Sequence, residues 1–324
     1  MKKKLALGIV SSALFLWLAG RGIDWTQFGE ALRQTQYIYL VPGVVFTMLG
    51  HFSRAVRWKF MMAPVKECTI RPLWAATAIA FMVNNLLPAR LGELVRAFVI
   101  GRSQNVSRSA SFATIVYERV VDVFVLIILL WFCMVRISGP DWLARSAEIL
   151  VVFNVALFLL LWSMARWRNR FRTLIGRAVR PFPPETRQRM HDSADAFVVG
   201  LGVVTRPAST LPIGLLSIAV WGCAVAGVWF CILAFGLDLP PLASVLMIVL
   251  ISLGSMIPSA PAFLGTLQYA CVIGLGVYGI DRSHALAFSA VYHATQFLPI
   301  TAAGLYYAWR SHLHWRELSE GRLS

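Results

Sequence analysis

Six apolar stretches, near residues 5–20, 38–58, 109–135, 147–165, 209–236 and 284–309, are each long enough to form a helix that reaches across a lipid bilayer. A hydrocarbon core roughly 30 Å thick takes about 20 residues at about 1.5 Å per residue. Inside that core every backbone N–H and C=O must find an internal partner, which restricts the backbone to helices or closed barrels. Runs of this length, without the alternation of barrel strands, predict helices. Composition agrees, with 58% of residues hydrophobic and 14% charged, against about 25% charged in soluble domains. The expected fold is all-α, a polytopic integral membrane bundle in which residues 1–324 form a single domain.

Two regions depart from that pattern. The apolar run that begins at residue 72 ends after 16 residues at Pro88, within "NNLLPARLGELVRAF" (Asn84 to Phe98). Sixteen residues of helix span about 24 Å, short of a bilayer, and the segment beyond is too charged to complete the crossing. A helix–break–helix hairpin, entering and leaving on one face, is expected over 72–101. Residues 241–280 repeat the pattern around "IPSAPAFLGT". "PARLGEL" (Pro88 to Leu94) and "PAFLGTL" (Pro261 to Leu267) share five of seven residues. Three full spans separate them, so the hairpins should enter from opposite faces as an inverted repeat with cores at 72–136 and 241–310.

The net charge of +15 is distributed in a way that sets orientation. Lys2, Lys3, Lys4, Lys59, Lys66, Arg102, Arg108, the cluster from Arg166 to Arg180, Arg310 and Arg316 fall on one predicted side. The other side holds scattered charges of both signs, among them Arg21, Asp24, Glu30, Arg33, Asp281 and Arg282. Positive-inside bias then places both termini in the cytoplasm of a bacterial inner membrane. These arginines flank apolar runs instead of forming a free arm, so nucleic acid is not an expected partner. The first run follows a basic start, yet "WLAGRG" lacks a small-x-small cleavage site, and an uncleaved span is expected. Residues 166–190 read as a basic amphipathic linker, either an interfacial helix on anionic lipid or a solvated loop. Trp25, Phe28 and Leu32 suggest a short helix on the outer side. Cys68, Cys133, Cys223, Cys231 and Cys271 show no CxxC spacing and are expected to pack in apolar surroundings. No metal or cofactor is implied.

Ionisable residues inside spans are costly and mark polar interiors. At the first break, Pro88 and Gly92 disturb the helix and expose backbone amides, and a helix N-terminus favours an anion. Asn84, Asn85, Arg90, Glu93 and Arg96 surround it, with Arg90 and Arg96 offering charge-assisted bonds to a phosphate. Glu93 and Arg96 are also spaced to pair with each other, or to act as plain interfacial anchors. In "YERVVD", Glu118, Arg119 and Asp122 form either a binding or proton-relay group or a structural ion pair in which Arg119 meets Asp122 and leaves Glu118 titratable. His51, Arg54 and Arg57 recur every third residue at the inner end of the second span, and both arginines read more simply as snorkelling to headgroups. His293 stands 32 residues after Pro261, much as Glu118 stands 30 after Pro88. No HExxH, Walker A or GxSxG motif is present.

"NNLLPARLGELVRAF", "YERVVD", "IPSAPAFLGTLQ" and "YHATQFLP" together resemble the lysylphosphatidylglycerol synthase transmembrane family, also called flippase-like domain proteins, over about residues 5 to 310. The resemblance implies a membrane unit that moves lipid between leaflets, fused in some members to a soluble aminoacyl-transferase. The sequence reaches Ser324 without such a domain, so lysyl transfer is not implied. It also departs from the family at Ala262, where glycine is expected, and at Gln268, where many relatives carry an acid. The expected activity is flipping of an anionic phospholipid or a polyprenyl-phosphate-linked intermediate. A membrane-embedded lipid or glycosyl transferase and a non-transporting scaffold are the alternatives. Pro258, Pro261, Gly265 and Gln268 would then form a nearly neutral outer gate, with Gln268 and His293 as substrate-binding residues.

Overall fold

The computed structural model describes residues 2–87, 91–136, 141–257 and 259–311. Among them are thirteen α-helices and no strand. In chain order these are α1 (Lys2–Gly20), α2 (Trp25–Gln34), α3 (Leu40–Met62), α4 (Ile70–Leu86), α5 (Gly92–Gln104), α6 (Arg108–Arg136) and α7 (Asp141–Arg166). Then follow α8 (Arg168–Ala178), α9 (Pro184–Gly200), α10 (Pro207–Ala234), α11 (Pro241–Met256), α12 (Thr266–Gly276) and α13 (Arg282–Arg310). The six longest, α1, α3, α6, α7, α10 and α13, fall on the six apolar runs, except that α9 nearly matches α1 in length. The two predicted breaks are present, between α4 and α5 and between α11 and α12, the second bridged by a short turn at Pro261–Phe263. Pro88, Arg90 and Pro258 lie outside the described residues.

Of the described helices, α10 alone is both long enough and continuously apolar enough to cross a membrane by composition. The reason lies in α3 and α6, whose apolar character is diluted by Arg54, Arg57, Glu118, Arg119 and Asp122. Those charges turn inward and pair across the bundle, while the opposite faces of the same helices remain apolar. Val41, Val45, Leu49 and Phe52 form an exposed stripe on α3, and Phe124, Ile128, Trp131 and Val135 form another on α6. Leu211, Leu215 and Ile218 on α10, with Leu298, Leu305 and Trp309 on α13, continue it. Apolar stripes outside and ion pairs inside invert the pattern of a water-soluble bundle, as a lipid surround requires.

Small residues set the closest helix contacts, as is usual where lipid removes any hydrophobic drive for helix association. On α3, Gly43 and Gly50 lie against Phe230 and Cys223 of α10. Two cores result. Trp58, Met61, Met62, Leu73, Ile79, Met82 and Ile115 fill the space between α3, α4 and α6. Val228, Ile232, Met247, Cys271, Leu275 and Phe288 fill that between α10, α11, α12 and α13. Four of the cysteines, all but Cys223, are buried, as apolar packing required.

The cytoplasmic linker of the sequence reading is more ordered than a linker. The chain turns through 97° between α7 and α8, Arg172 pairs with Asp195 at 2.7 Å, and α9 runs past residue 190 to Gly200 to pack on α6. The expected short helix near Trp25 is α2, whose first turn is capped by Asp24 accepting from the backbone N–H groups of Thr26 and Gln27.

Helix α13 crosses α4 at Gly304, where a Cβ would stand 2.3 Å from Met82 Cβ and 2.5 Å from the Ala78 carbonyl oxygen. Gly304→Leu is therefore expected to destabilise the protein by roughly 2–3 kcal/mol through overpacking. Gly214→Leu, on an exposed face of α10 with no atom within 4 Å of the added Cβ, should leave it near wild type. Thermal unfolding in detergent reads both, and equal losses would contradict the α4–α13 contact.

Candidate functional site

The two charged patches that stand apart in the sequence converge on one point. Helix α6 carries Glu118, Arg119 and Asp122 on a single face, α3 brings Arg54 and Arg57, and α5 brings Arg96. Arg96 Nη1 donates to Glu118 Oε2 at 2.8 Å, and Arg119 Nη2 to Glu118 Oε1 at 2.9 Å. Arg54 Nη1 and Arg57 Nη2 hold Asp122 from two sides at 2.7 and 2.8 Å, each also 3.4 Å from Glu118. Among the described residues the paired groups are four guanidiniums and two carboxylates, and Glu93 is a further acid whose charge acts on Arg119.

Its enclosure is graded. The Glu118 and Arg57 side chains are fully buried and that of Arg96 is 3% exposed, whereas Arg54 is 15% and Arg119 43% exposed. The cluster therefore opens at Arg54 and Arg119 and is closed behind them. Aromatic rings complete the wall. The Arg96 guanidinium lies 3.8 Å from the centroid of Trp58, whose indole N–H is fixed by Thr114 at 2.8 Å, and Arg54 lies over Phe81. Arg57 Nη1 donates to Ser217 of α10 at 2.9 Å. Even so, Nε of Arg54, Arg57, Arg96 and Arg119, and Nη2 of Arg96, are buried with no hydrogen-bond partner. Buried donors normally find acceptors; here the donors exceed the acceptors that two carboxylates supply.

This geometry corrects three expectations. Arg54 and Arg57 do not snorkel to headgroups; they face the interior. The signal was in the sequence, because both lie on the side of α3 opposite the stripe from Val41 to Phe52. Arg96 pairs with Glu118 and not with Glu93, which stands half-buried in the first turn of α5. The expected Arg119–Asp122 pair does form, at 3.5 Å, but it does not leave Glu118 free, since four guanidiniums surround it.

Asn84 and Asn85 hold the break together. Asn84 Oδ1 accepts from the Gly92 backbone N–H at 2.8 Å, and a Cβ on Gly92 would lie 2.2 Å from the Ala80 carbonyl oxygen. Asn85 donates to Thr301 of α13 at 2.8 Å. The second break repeats the device with other residues. Gln268 Oε1 accepts from the Gly265 N–H at 2.7 Å, and Gln268 Nε2 meets His293 Nδ1 at 3.0 Å. Gly265 has φ +89° and packs on α1, where a Cβ would fall 2.5 Å from the Ser12 carbonyl oxygen. Ser12 Oγ in turn accepts from Ala260 N–H and donates to the Leu264 carbonyl, both at 2.7 Å. Ala262, where the family pattern led us to expect glycine, has φ +58°, a left-handed conformation that costs a side chain of order 1 kcal/mol. Among the described residues the second break brings together no carboxylate or guanidinium, and Glu118 and His293 stand in different chemical settings.

Removing Glu118 would leave its four guanidiniums facing one another. Glu118→Gln is expected to destabilise the protein by roughly 3–5 kcal/mol, the usual cost of breaking a buried ion pair from one side. Glu118→Asp should lose less. Thermal unfolding of both variants checks this, and a wild-type midpoint for Glu118→Gln would show that the cluster does not hold the fold.

Comparison with known proteins places the chain among membrane proteins of the same plan. A UPF0104 membrane protein of Methanothermobacter thermautotrophicus is 25% identical over 318 residues, covering 93% of this chain and 92% of its own. Another, from Methanocaldococcus jannaschii, is 27% identical over 233 residues, 68% of this chain and 91% of that one. Glycosyltransferase AglD of Haloferax volcanii is 23% identical over 340 residues, which cover 90% of this chain and 52% of AglD. Residues 5–304 match the family described as the lysylphosphatidylglycerol synthase TM region, and the chain belongs to that family of membrane proteins.

Proposed function

We propose that this protein moves an anionic lipid, or a lipid-linked intermediate with a phosphate in its headgroup, between the leaflets of a bacterial inner membrane. In this reading α1, α3, α6, α7, α10 and α13 span the bilayer with both termini in the cytoplasm. The two broken helix pairs are re-entrant hairpins entering from opposite faces. The observation that carries the proposal is the inward-facing cluster, in which four guanidiniums meet two paired carboxylates and five buried guanidinium nitrogens have no partner among the described residues. An anionic headgroup supplies the missing acceptors.

Each residue then has a task. Arg119 and Arg54, at the open edge, meet the phosphate first, with Arg90 and Glu93 beside the break adjusting access. Arg96 and Arg57 hold the positive field from behind, and Glu118 and Asp122 keep four like charges from repelling one another. Asn84 and Asn85 keep the break at Pro88 and Gly92 in shape. Acyl chains remain in lipid against the exposed stripes while the headgroup passes through the polar slot. Gln268, His293, Gly265, Pro258 and Pro261 form the neutral outer gate.

The likeness to the glycosyltransferase AglD supports a second reading, a membrane-embedded glycosyl transferase. Against it, Glu118 and Asp122 are both bound by arginines, which suits an anion site better than a general base. A transferase leaves a lipid of altered mass, whereas translocation does not.

In proteoliposomes carrying a fluorescent phosphatidylglycerol, with surface quenching as the readout, Arg119→Gln is expected to slow translocation at least about tenfold. Its stability should change by less than about 1 kcal/mol, as for other part-exposed pairs. An unchanged rate would remove the transport reading, and a new lipid mass in the same vesicles would put the transferase in its place.

A further inference from the structure

The outer ends of α1, α12 and α13 enclose a cavity that the buried cluster does not reach. It measures about 310 Å³ and is lined by Leu18, Arg21, Tyr269, Val272, Ile273, Gly276 and Arg282. A second cavity of about 260 Å³ adjoins it, sharing Tyr269 and Ile273, and is lined with apolar groups of Phe15, Leu250, Leu253, Gly254 and Ile257. Phe15 and Leu18 lie one turn apart on the same face of α1, and Phe15 packs on the Tyr269 ring. One helix face thus runs along both spaces, one with two guanidiniums at its mouth and the other a hydrocarbon-lined groove.

The two arginines lack a counter-ion. Neither Arg21 nor Arg282 takes part in any ion pair among the described residues. Arg282 Nη2 donates to the Leu18 carbonyl oxygen, which ties α13 to α1, and Arg21 lies over Trp17. The neighbouring acids are engaged elsewhere. Asp24 caps α2 through Thr26 and Gln27. Asp281 caps α13 through Ser283 and His284 and also meets the His284 ring.

From this arrangement we infer that the paired cavities bind one anionic phospholipid of the outer leaflet, headgroup phosphate between Arg21 and Arg282 and acyl chain in the groove beside Phe15 and Gly254. A basic mouth joined to an apolar groove has the shape and polarity of an amphiphile, and neither half alone selects for one. The proposal deepens the transport reading by giving the neutral outer gate a charged docking place, and it rests on that reading only for its membrane orientation.

The test is photolabelling of the full-length protein in detergent with phosphatidylglycerol and phosphatidylcholine that carry a photoreactive group on the acyl chain, followed by peptide mapping. Phosphatidylglycerol is expected to label the α11–α12 groove at least about fivefold more than phosphatidylcholine, the equivalent of one charge-assisted contact. Arg21→Gln should bring the two lipids close to parity. Gly276→Phe should fill the basic cavity and likewise remove the preference for phosphatidylglycerol without disturbing the backbone, because no atom lies within 4 Å of a Cβ there. Arg119→Gln should label as wild type, so failure of the transport reading and failure of this site are read separately. Equal labelling by the two lipids, or an unaltered preference in Arg21→Gln, would overturn the proposal. So would full displacement of the lipid by soluble glycerol phosphate, which would mark a site for free phosphate.

Discussion

A guanidinium in a low-dielectric interior is tolerable only beside a carboxylate that is itself fully bonded, and much of this structure follows from meeting that condition four times. Glu118 and Asp122 are one turn apart on α6, so α3 must approach closely enough to bring Arg54 and Arg57 to them. It does so through an α3–α10 contact made of glycines and other small residues. Helix α5 must begin where Arg96 reaches Glu118, and that start is fixed by the break at Gly92 and the Asn84 cap. Trp58 and Thr114 then close the wall behind Arg96. The interrupted helix and the ion cluster are one construction. The break sets the register of α5, and the register sets the charge balance.

The second hairpin shows what the same plan looks like without buried charge. Its break is held by a side-chain amide, as the first is, but from Gln268 on the helix that follows instead of Asn84 on the helix that precedes. Its glycine is pinned by α1 through Ser12, and its partner on α13 is a histidine, not a carboxylate. Positive charge on that side lies farther out, at Arg21 and Arg282. On the proposed transport reading, a headgroup would meet arginines near each end and a passage without paired charge between them.

Much of this was legible in the sequence for plain reasons. Apolar runs of about 20 residues and two interrupted ones locate the helices and their breaks, because hydrocarbon leaves the backbone no alternative. The residue pairs were harder. Glu93 and Arg96 have the spacing to pair, yet spacing along one helix says nothing of a stronger partner on another, and Glu118 of α6 takes Arg96. Arg54 and Arg57 look like interfacial anchors until their phase is set against the exposed stripe from Val41 to Phe52. The amphipathic pattern of 166–190 left a helix and a solvated loop both open, and showed neither the 97° turn between α7 and α8 nor the docking of α9 on α6. Neither could be read without knowing which face another helix would cover.

The central claim is that the inward cluster holds an anionic headgroup, and the most direct measurement is mass spectrometry of the lipids that stay with the purified protein. Wild type should retain a phosphate-bearing anionic lipid or polyprenyl-phosphate species well above its abundance in the membrane. Arg54→Gln combined with Arg90→Ala should lose that enrichment while the bulk lipids remain. Identical bulk lipid in both preparations, with no enriched species in either, would contradict the account and leave the cluster as a structural device in a membrane scaffold.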